Sequence, residues 1–273
     1  MRYSFLLLLF VALGCSRTEE PTFERQFPFR FSDGFETETP AFEELFPADN
    51  SRWTDVQLQH PPGGDNEIGL TDREASEGGQ SLRILSRPGN ELLSKVDIEK
   101  QGFFAPQGST VTISADFFLQ EGADLAEVFL IDVECCSCWD PEVANNPCPG
   151  VRLKLRAGNF LAVERAKILR ETIGQTRTAL PTNRWVTVEW TMTLHADIRG
   201  VNRVAVDGET VIGFTGQNLP DEEDFRVELA RHGIFDFEFE EPLGYERVQV
   251  GVTANPTAQT VELLVDNFSI TVE

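Results

Sequence analysis

The stretch VTISADFFL at residues 111–119 alternates apolar with polar side chains along most of its length. A second stretch, VTVEWTMTL at residues 186–194, alternates in the same way. Successive side chains of a β-strand point to opposite faces, so a period of two gathers the apolar residues on one face. Each stretch therefore predicts a strand that buries one face in a core.

Shorter patterns of the same kind are separated by Gly, Pro, Asn and Asp. They predict further strands at 81–85, 128–133, 151–156, 247–253 and 261–272. Asp207-Gly208 divides two apolar runs within 201–214 and suits a two-residue type I′ turn, because both central residues of that turn need positive φ. Only residues 160–172 leave helix and strand open. Many short strands with few helices indicate a sandwich or jelly roll.

Four segments follow one another in a suggestive order: Asp33-Gly34-Phe35-Glu36, Trp53, ASEGGQSL at 75–82 and LVDNFSI at 264–270. This order resembles carbohydrate-binding modules and concanavalin-like jelly rolls. In those families the first and last strands lie side by side. The resemblance therefore implies that the segments carrying Glu36 and Asp266 meet.

A second similarity lies in the stretch NRWVTVEW at 183–190, which is followed by VAVDGETV at 204–211. It is similar to the concanavalin-like pattern of a strand opened by Trp and followed by a hairpin. The resemblance extends from about residue 31 to residue 273 and implies an all-β fold. The expected architecture is a two-sheet antiparallel sandwich, a concanavalin-like jelly roll.

The N-terminus begins with Arg2, an apolar run at 5–13 and Gly14-Cys15. That run is too short to span a bilayer, which takes about 20 apolar residues. The segment VALGC at 11–15 resembles the lipobox of bacterial lipoproteins, which implies that the signal peptide is removed and Cys15 is acylated. Ser16 follows the cysteine, and by resemblance to lipoprotein sorting this suggests delivery to the outer membrane.

The chain accordingly divides into three parts. Residues 1–14 are the expected lipoprotein signal peptide, and residues 15–28 are a polar lipidated tether with two prolines. Residues 29–273 form a single jelly-roll domain with a cysteine-rich loop at 134–150.

The charge balance narrows the choice of partners. The chain has 23 basic and 45 acidic residues, and removing the signal takes away one arginine, so the formal net charge changes from −22 to −23. Nucleic acids and anionic bilayers bind mainly through Lys and Arg, so neither is the expected main partner. The expected membrane contact is the lipid anchor, and polyanionic glycans are poor ligands for the same reason.

Four of the five cysteines are clustered: Cys135, Cys136, Cys138 and Cys148. In an oxidising compartment outside the cytoplasm, this cluster predicts two disulfides that close a surface loop. Cys135 and Cys136 are not expected to bond to each other, because adjacent side chains of an extended chain point to opposite sides. A zinc site with four thiolates is the alternative, although the spacing lacks the paired C-x-x-C form of structural zinc.

Related carbohydrate-binding jelly rolls often hold a structural Ca²⁺ where the first and last strands meet. By this resemblance Glu36 and Asp266 are the expected metal ligands. Carboxylate oxygens are the hard ligands that Ca²⁺ prefers. The alternative is an ordinary strand end with solvated acids.

The segment IFDFEFEE at 234–241 alternates phenylalanines with acids. As a strand it would place Asp236, Glu238 and Glu240 on one face, with neighbouring Cα atoms about 7 Å apart. This resembles the E-x-D-x-E strand of jelly-roll glucanases, which implies Asp236 as nucleophile and Glu240 as acid/base. A solvated acidic strand or a second calcium site are the alternatives.

These features favour a lipid-anchored cell-envelope protein whose jelly roll binds a glycan or another envelope component without catalysis. One alternative is a glycoside hydrolase or an enzyme of the polysaccharide lyase type. A lyase would need basic residues with Tyr or His on one sheet, and Tyr245 is the only tyrosine beyond the signal. A structural envelope lipoprotein without a small ligand is the third possibility.

Overall fold

The computed structural model describes residues 24–38, 41–61, 64–88, 94–120, 125, 127–138, 148–166, 171–239, 242–255 and 259–273. The predicted signal peptide, Cys15 and Glu240 lie outside the described residues. No helix among the described residues is long and apolar enough to cross a membrane.

The described chain contains fifteen strands and one α-helix, with a short 3-10 helix at Phe42–Leu45. The first eight strands are β1 (Phe29–Asp33), β2 (Asp55–Gln59), β3 (Glu67–Thr71), β4 (Ser81–Ser86), β5 (Ser94–Pro106), β6 (Thr110–Leu119), β7 (Phe129–Glu134) and β8 (Gly150–Arg156). The others are β9 (Phe160–Ala166), β10 (Glu171–Ala179), β11 (Trp185–Thr193), β12 (Val201–Val206), β13 (Glu209–Thr215), β14 (Gly244–Asn255) and β15 (Val261–Val272), and α1 (Glu222–Arg231) precedes β14.

The strands form two antiparallel sheets. The eight-stranded sheet runs β13-β12-β11-β6-β15-β4-β3, and β1 pairs with β15 beyond the end of β4. The seven-stranded sheet runs β10-β9-β8-β7-β14-β5-β2. The predicted all-β sandwich of jelly-roll type is therefore confirmed, and the first strand lies beside the last.

The periodic stretches form the strands that they predicted. β6 and β11 are neighbours, and they bury the apolar positions of both patterns, including Ile113, Phe117 and Trp190. Asp207 and Gly208 join β12 to β13 with φ values of 50° and 81°, as a type I′ turn requires. The ambiguous segment 160–172 contains β9 and the beginning of β10, so its described part is extended rather than helical.

An aromatic cluster connects the first and last strands to the core. The fully buried indole of Trp53 lies 4.9 Å from the ring of Phe268 on β15, 5.2 Å from Phe31 on β1 and 5.9 Å from Phe35. Such contacts add about 0.5–1.5 kcal/mol per pair beyond the area that they bury. Trp53 is thus a core residue, which removes it from the surfaces on which a sugar ring could stack.

The chain contacts the sandwich before β1 begins. Gln26 donates its backbone N–H to the Gly102 carbonyl at 3.2 Å and accepts from the Phe104 N–H at 3.0 Å. Arg25 pairs with Glu246 at 2.6 Å. The ordered fold therefore includes at least the last residues of the predicted tether.

Candidate functional site

The face of the seven-stranded sheet that turns away from the core is lined by charged and amide side chains. Along its central strands, core positions such as Val96, Ile98, Val133 and Leu153 alternate with polar positions. We call this surface the polar face and define it by Lys95, Asp97, Glu99, Asp132, Glu134, Arg152, Lys154, Arg247 and Gln249.

Strand register aligns many of these side chains in one row across the sheet. Consecutive partners in the row are Asp55, Glu99, Gln249, Asp132, Arg152 and Glu164. Neighbouring strands lie about 4.8 Å apart, so each side chain is close to the next. The row brings together residues that are distant in the sequence.

Glu99 is the hydrogen-bonding centre on one side of the row. Its carboxylate accepts from Gln57 Nε2 at 3.2 Å, from Gln249 Nε2 at 3.0 Å and from Gln101. Arg247 Nε lies 3.2 Å from the other carboxylate oxygen. Glu99 is buried, and these donors contact both of its carboxylate oxygens.

Arg152 is the cation on the other side of the row. Its Nε donates to Asp132 Oδ2 at 2.6 Å, and its terminal nitrogen lies 4.0 Å from Glu134 Oε1. Its guanidinium also covers the Phe129 ring, 5.1 Å from the ring centre. One buried guanidinium therefore balances two buried carboxylates.

Asp97 differs from Glu99 and Asp132 of the polar face in the hydrogen bonding of its carboxyl group. Its side chain is 0 % exposed, yet neither carboxylate oxygen has a hydrogen-bond partner among the described residues. Burial, together with Glu99 and Glu134, raises the pKa of Asp97 well above its usual value despite the opposing effect of Lys95. Gly251 lies opposite Asp97, and a Cβ atom at Gly251 would lie only 2.7 Å from Ile84 Cδ1 and 2.8 Å from the Val96 carbonyl oxygen, so the two strands are closely packed here.

Glu134 also carries a perturbed carboxyl. Burial and the neighbouring Asp132 raise the pKa of Glu134 to about 7, although Lys95, Arg152 and Arg247 act in the opposite direction. Its Oε2 accepts from Gln249 Nε2 at 3.4 Å. Glu134 can therefore gain or lose a proton near neutral pH.

Unsatisfied polar atoms accumulate on this face. In addition to Asp97, the amide oxygen of Gln249 is buried without a hydrogen-bond partner among the described residues. An unsatisfied buried polar group costs about 1–3 kcal/mol, so a cluster of them indicates a site that a polar ligand or water completes. Carboxyl, amide and guanidinium groups arranged in a row suit the hydroxyls of a sugar.

The described histidines and tyrosine, His60, His195, His232 and Tyr245, lie outside the residues that define the polar face. His60 accepts the Asn66 N–H at 2.9 Å just beyond β2, and His195 and His232 follow β11 and α1. The Tyr245 hydroxyl is buried and donates to the Asn218 carbonyl at 2.6 Å, while burial raises its pKa. None of these four side chains is therefore among the residues that define the polar face.

The cysteine cluster lies at the end of β7 and the beginning of β8. Disulfides join Cys135 to Cys138 and Cys136 to Cys148. Glu134, Cys136 and Cys148 place one ligand atom each within 4.8 Å of one another, but both sulfurs belong to a disulfide and offer no thiolate for zinc. The disulfides instead fix the connection between two strands of the polar face.

The predicted calcium ligands Glu36 and Asp266 bind the same loop. Glu36 Oε1 accepts from the N–H groups of Gly79 and Gln80 at 2.8 and 3.0 Å. Asp266 Oδ2 accepts from the N–H groups of Ser76 and Glu77 at 2.8 and 3.2 Å. The two carboxylates therefore clamp the loop at residues 72–80 against the end of the sandwich.

Asp266 has a second acid beside it. Asp116 is its partner on β6, and it accepts from Ser76 Oγ at 2.6 Å, Thr187 Oγ1 at 2.6 Å and Asn267 Nδ2 at 2.9 Å. Burial, and to a smaller extent Asp116, raises the pKa of Asp266 against the effect of its backbone hydrogen bonds. The carboxylates of Asp116 and Asp266 are thus neighbours, and both accept hydrogen bonds from the loop.

The predicted strand with Asp236, Glu238 and Glu240 is wrong for its described part. Residues 234–239 are irregular, and Phe237 and Phe239 pack together at 5.0 Å instead of pairing with a strand. Asp236 and Glu238 are exposed, and Glu240 lies outside the described residues. The spacing argument for a catalytic pair needed an extended strand, so it no longer applies.

Comparison with known proteins supports the fold. No family model matches the chain, and no curated protein matches it. Among solved structures, the cellulose-induced protein Cip1 is similar at 15 % identity with a TM-score of 0.56, over 88 % of this chain and 96 % of Cip1. An endo-β-1,4-glucuronan lyase from the fungus Trichoderma reesei is similar at 12 % identity with a TM-score of 0.59, over 80 % and 90 % of the two chains.

The alginate lyase Aly36B is similar at 9 % identity with a TM-score of 0.54, over 89 % of this chain and 97 % of the lyase. At these identities the likeness establishes a shared jelly-roll sandwich.

Proposed function

We propose that this protein is a lipid-anchored envelope protein that binds a neutral glycan on the polar face. The observation that carries the proposal is the buried Asp97 carboxyl, whose two oxygens lack partners beside the unpaired amide oxygen of Gln249. Such groups are completed by hydroxyls that both donate and accept. The sugar-related names of the similar structures agree with a glycan ligand.

The charges on the polar face favour a neutral ligand. Four acids, Asp97, Glu99, Asp132 and Glu134, lie among four bases, Lys95, Arg152, Lys154 and Arg247. Arg152 and Arg247 already pair with Asp132 and Glu99. The formal net charge of −22 adds a long-range repulsion against polyanions.

A glycan-array screen with and without Ca²⁺ tests this function. We expect binding to neutral oligosaccharides, since their hydroxyls satisfy the polar face without adding charge. An array on which no glycan binds under either condition would support a structural envelope protein instead.

The anchor is proposed on the sequence 11–15 alone. We expect Cys15→Ser to abolish labelling with a fatty-acid analogue and to leave an uncleaved or soluble species, because the thiol is the acylation site. Cys138→Ser is the matched control and should label normally. If the Cys15→Ser variant is still labelled with the fatty-acid analogue and stays in the membrane fraction, the proposed lipid anchor is contradicted.

The proposed cofactor is a structural Ca²⁺ held by Glu36 and Asp266 at the clamped loop. An ion that binds only the folded state raises stability by RT ln(1 + [L]/Kd), about 2.7 kcal/mol at one hundred times Kd. Millimolar Ca²⁺ should therefore raise the melting temperature by several degrees, Mg²⁺ should do so poorly, and Asp266→Ala should remove most of the gain. A wild-type melting curve indifferent to Ca²⁺ would rule out the ion.

One observation favours a second candidate, a polysaccharide lyase. A carboxyl with a pKa of about 7 is suited to general base catalysis at neutral pH. In β-elimination, the deprotonated Glu134 carboxylate would take the proton from C5 of a uronate. The C4–O bond to the leaving sugar would break as the C4–C5 double bond forms, and the leaving oxygen would take a proton from water.

The lyase is tested by the ultraviolet absorbance of unsaturated products from polyglucuronate and alginate. If the wild-type protein forms unsaturated products, Glu134→Gln should abolish their formation while glycan binding persists. If the wild-type protein binds a glycan but forms no unsaturated product, the lyase function is ruled out and glycan binding is the only function that remains.

A further inference from the structure

We propose that the eight-stranded sheet carries a second site, which holds one neutral hexose ring of a glycan. The site lies on the face of that sheet turned away from the core, where a cavity of about 230 Å³ opens. Phe118, Arg83 and Leu264 line it and alternate along their strands with core residues. This site is separate from the polar face and does not depend on it.

Three of the lining residues, Phe118, Leu264 and Arg83, form the floor of the cavity and belong to one row across the sheet. Strand register aligns Trp185, Phe118, Leu264, Arg83 and Gly69 from β11 to β3. The half-buried Phe118 ring is held edge-on by the Trp185 ring, with centres 5.6 Å apart and planes at 64°. Gly69 ends the row without a side chain, and nothing lies within 4 Å of the position that its Cβ would take. The floor therefore carries one aromatic ring, Phe118, which Trp185 supports from the side and which serves as the platform.

The walls of the cavity supply hydrogen-bonding groups of both charges. Arg83 donates to Glu262 at 2.7 Å and to Glu67 at 3.1 Å, which fixes its guanidinium. The side chains of Arg73 and Glu74 line the same cavity and have no ion pair with any described residue. The two arginines are balanced by Glu74 and Glu262, so a neutral ligand with several hydroxyls is the best match.

A hexose ring has the two properties that this cavity needs. Its C–H face is apolar and packs on an aromatic ring, while its equatorial hydroxyls reach planar side chains at the rim. An anionic sugar would bring its negative charge close to Glu74 and Glu262. A peptide side chain would not supply as many hydroxyls.

The loop that forms one wall is held in place in advance. Arg73 and Glu74 precede the segment at 76–80, whose N–H groups donate to Asp266 and Glu36. A wall fixed before binding loses less conformational entropy when the ligand binds. Asp266 is thus a positioning residue for this second site.

Fluorine NMR tests the proposal on the chain from Ser16 onward, labelled with 5-fluorotryptophan. Trp185 contacts the platform, so its fluorine signal is the one to follow. The Trp185→Phe variant lacks this signal and thereby assigns it. The probes are neutral β-linked tetrasaccharides of gluco, manno and galacto configuration at millimolar concentration. At least one should shift the Trp185 signal saturably. Arg73→Ala should weaken that response at least about tenfold, as expected for a hydrogen bond to a charged group.

Arg203→Ala is the matched control, since Arg203 is an exposed arginine of the same sheet that donates to Thr210 Oγ1. It should leave the response unchanged. Gln249→Leu on the polar face should also leave it unchanged, which separates failure of this site from failure of the first. The proposal is overturned if no probe shifts the Trp185 signal, or if Arg73→Ala responds as the wild type does.

Discussion

Replacing Arg152 with methionine should lower the free energy of unfolding by about 3–5 kcal/mol. The guanidinium is the 2.6 Å partner of Asp132 and the nearest cation to Glu134, and both carboxylates are about 2 % exposed. Removing the cation leaves buried negative charge without compensation, although methionine keeps most of the apolar contact with Phe129. Urea denaturation at neutral pH measures the loss.

A double-mutant cycle identifies the cause. Arg152→Met combined with Asp132→Asn should recover a large part of the lost stability, because the second change removes the uncompensated charge. Arg203→Ala should cost less than about 0.5 kcal/mol, as for other exposed positions. A loss below about 1 kcal/mol for Arg152→Met would show that this pair behaves like a solvent-exposed ion pair.

Stability should fall as the pH rises from about 4.5 to about 7. Glu134 titrates near its ordinary value in the unfolded chain, and its folded pKa is raised to about 7, so the folded state binds more protons between these values. The contribution of this carboxyl is fully present below the unfolded pKa and is lost as the pH passes the folded pKa. The difference between the folded and unfolded pKa values of Glu134 corresponds to a loss of about 3 kcal/mol.

Glu134→Gln isolates this effect, because the amide has the same shape and does not titrate. The variant should show a flatter dependence of unfolding free energy on pH and should exceed the wild type in stability above about pH 7. Urea melts at a series of pH values measure both curves. If the two curves run parallel across the range from acidic to mildly alkaline pH, Glu134 does not carry the buried proton.

The sandwich could be predicted because its strands carry local signals. Residues 111–119 and 186–194 alternate clearly, and Asp207-Gly208 specifies its turn, so each element was visible without tertiary information. The likeness of the segments around Glu36 and Asp266 to known jelly rolls indicated the pairing of first and last strands. Their shared loop is a further contact of the kind that this pairing implies.

The prediction of a strand at 234–241 was wrong because tertiary packing, and not the local pattern, decides the structure of this segment. Its period of two was equally compatible with a strand and with an irregular segment that packs on α1. Phe239 lies 5.9 Å from Phe225 of the helix, whereas Phe235 is 74 % exposed. The helix itself was missed, although Asp221 caps it and acids fill its first turn, a recognisable start signal.

The polar face was missed because strand register, not sequence proximity, assembles it. Asp97, Asp132, Arg152 and Gln249 are far apart along the chain. A signal does exist in the strands: charged residues occupy alternate positions between valines, isoleucines and leucines, as in SKVDIEKQ at 94–101. Such a pattern marks a strand with one apolar face and one charged face, and three adjacent strands of this kind predict a polar site.

The most direct test of the central claim is a calorimetric titration of the strongest neutral glycan from the array. Gln249→Leu removes the amide at the centre of the row on the polar face. The affinity of this variant for the glycan should therefore fall at least about tenfold, while its unfolding transition stays cooperative. Arg203→Ala should bind as the wild type does. Equal affinity of Gln249→Leu and wild type would place the ligand elsewhere and contradict the account.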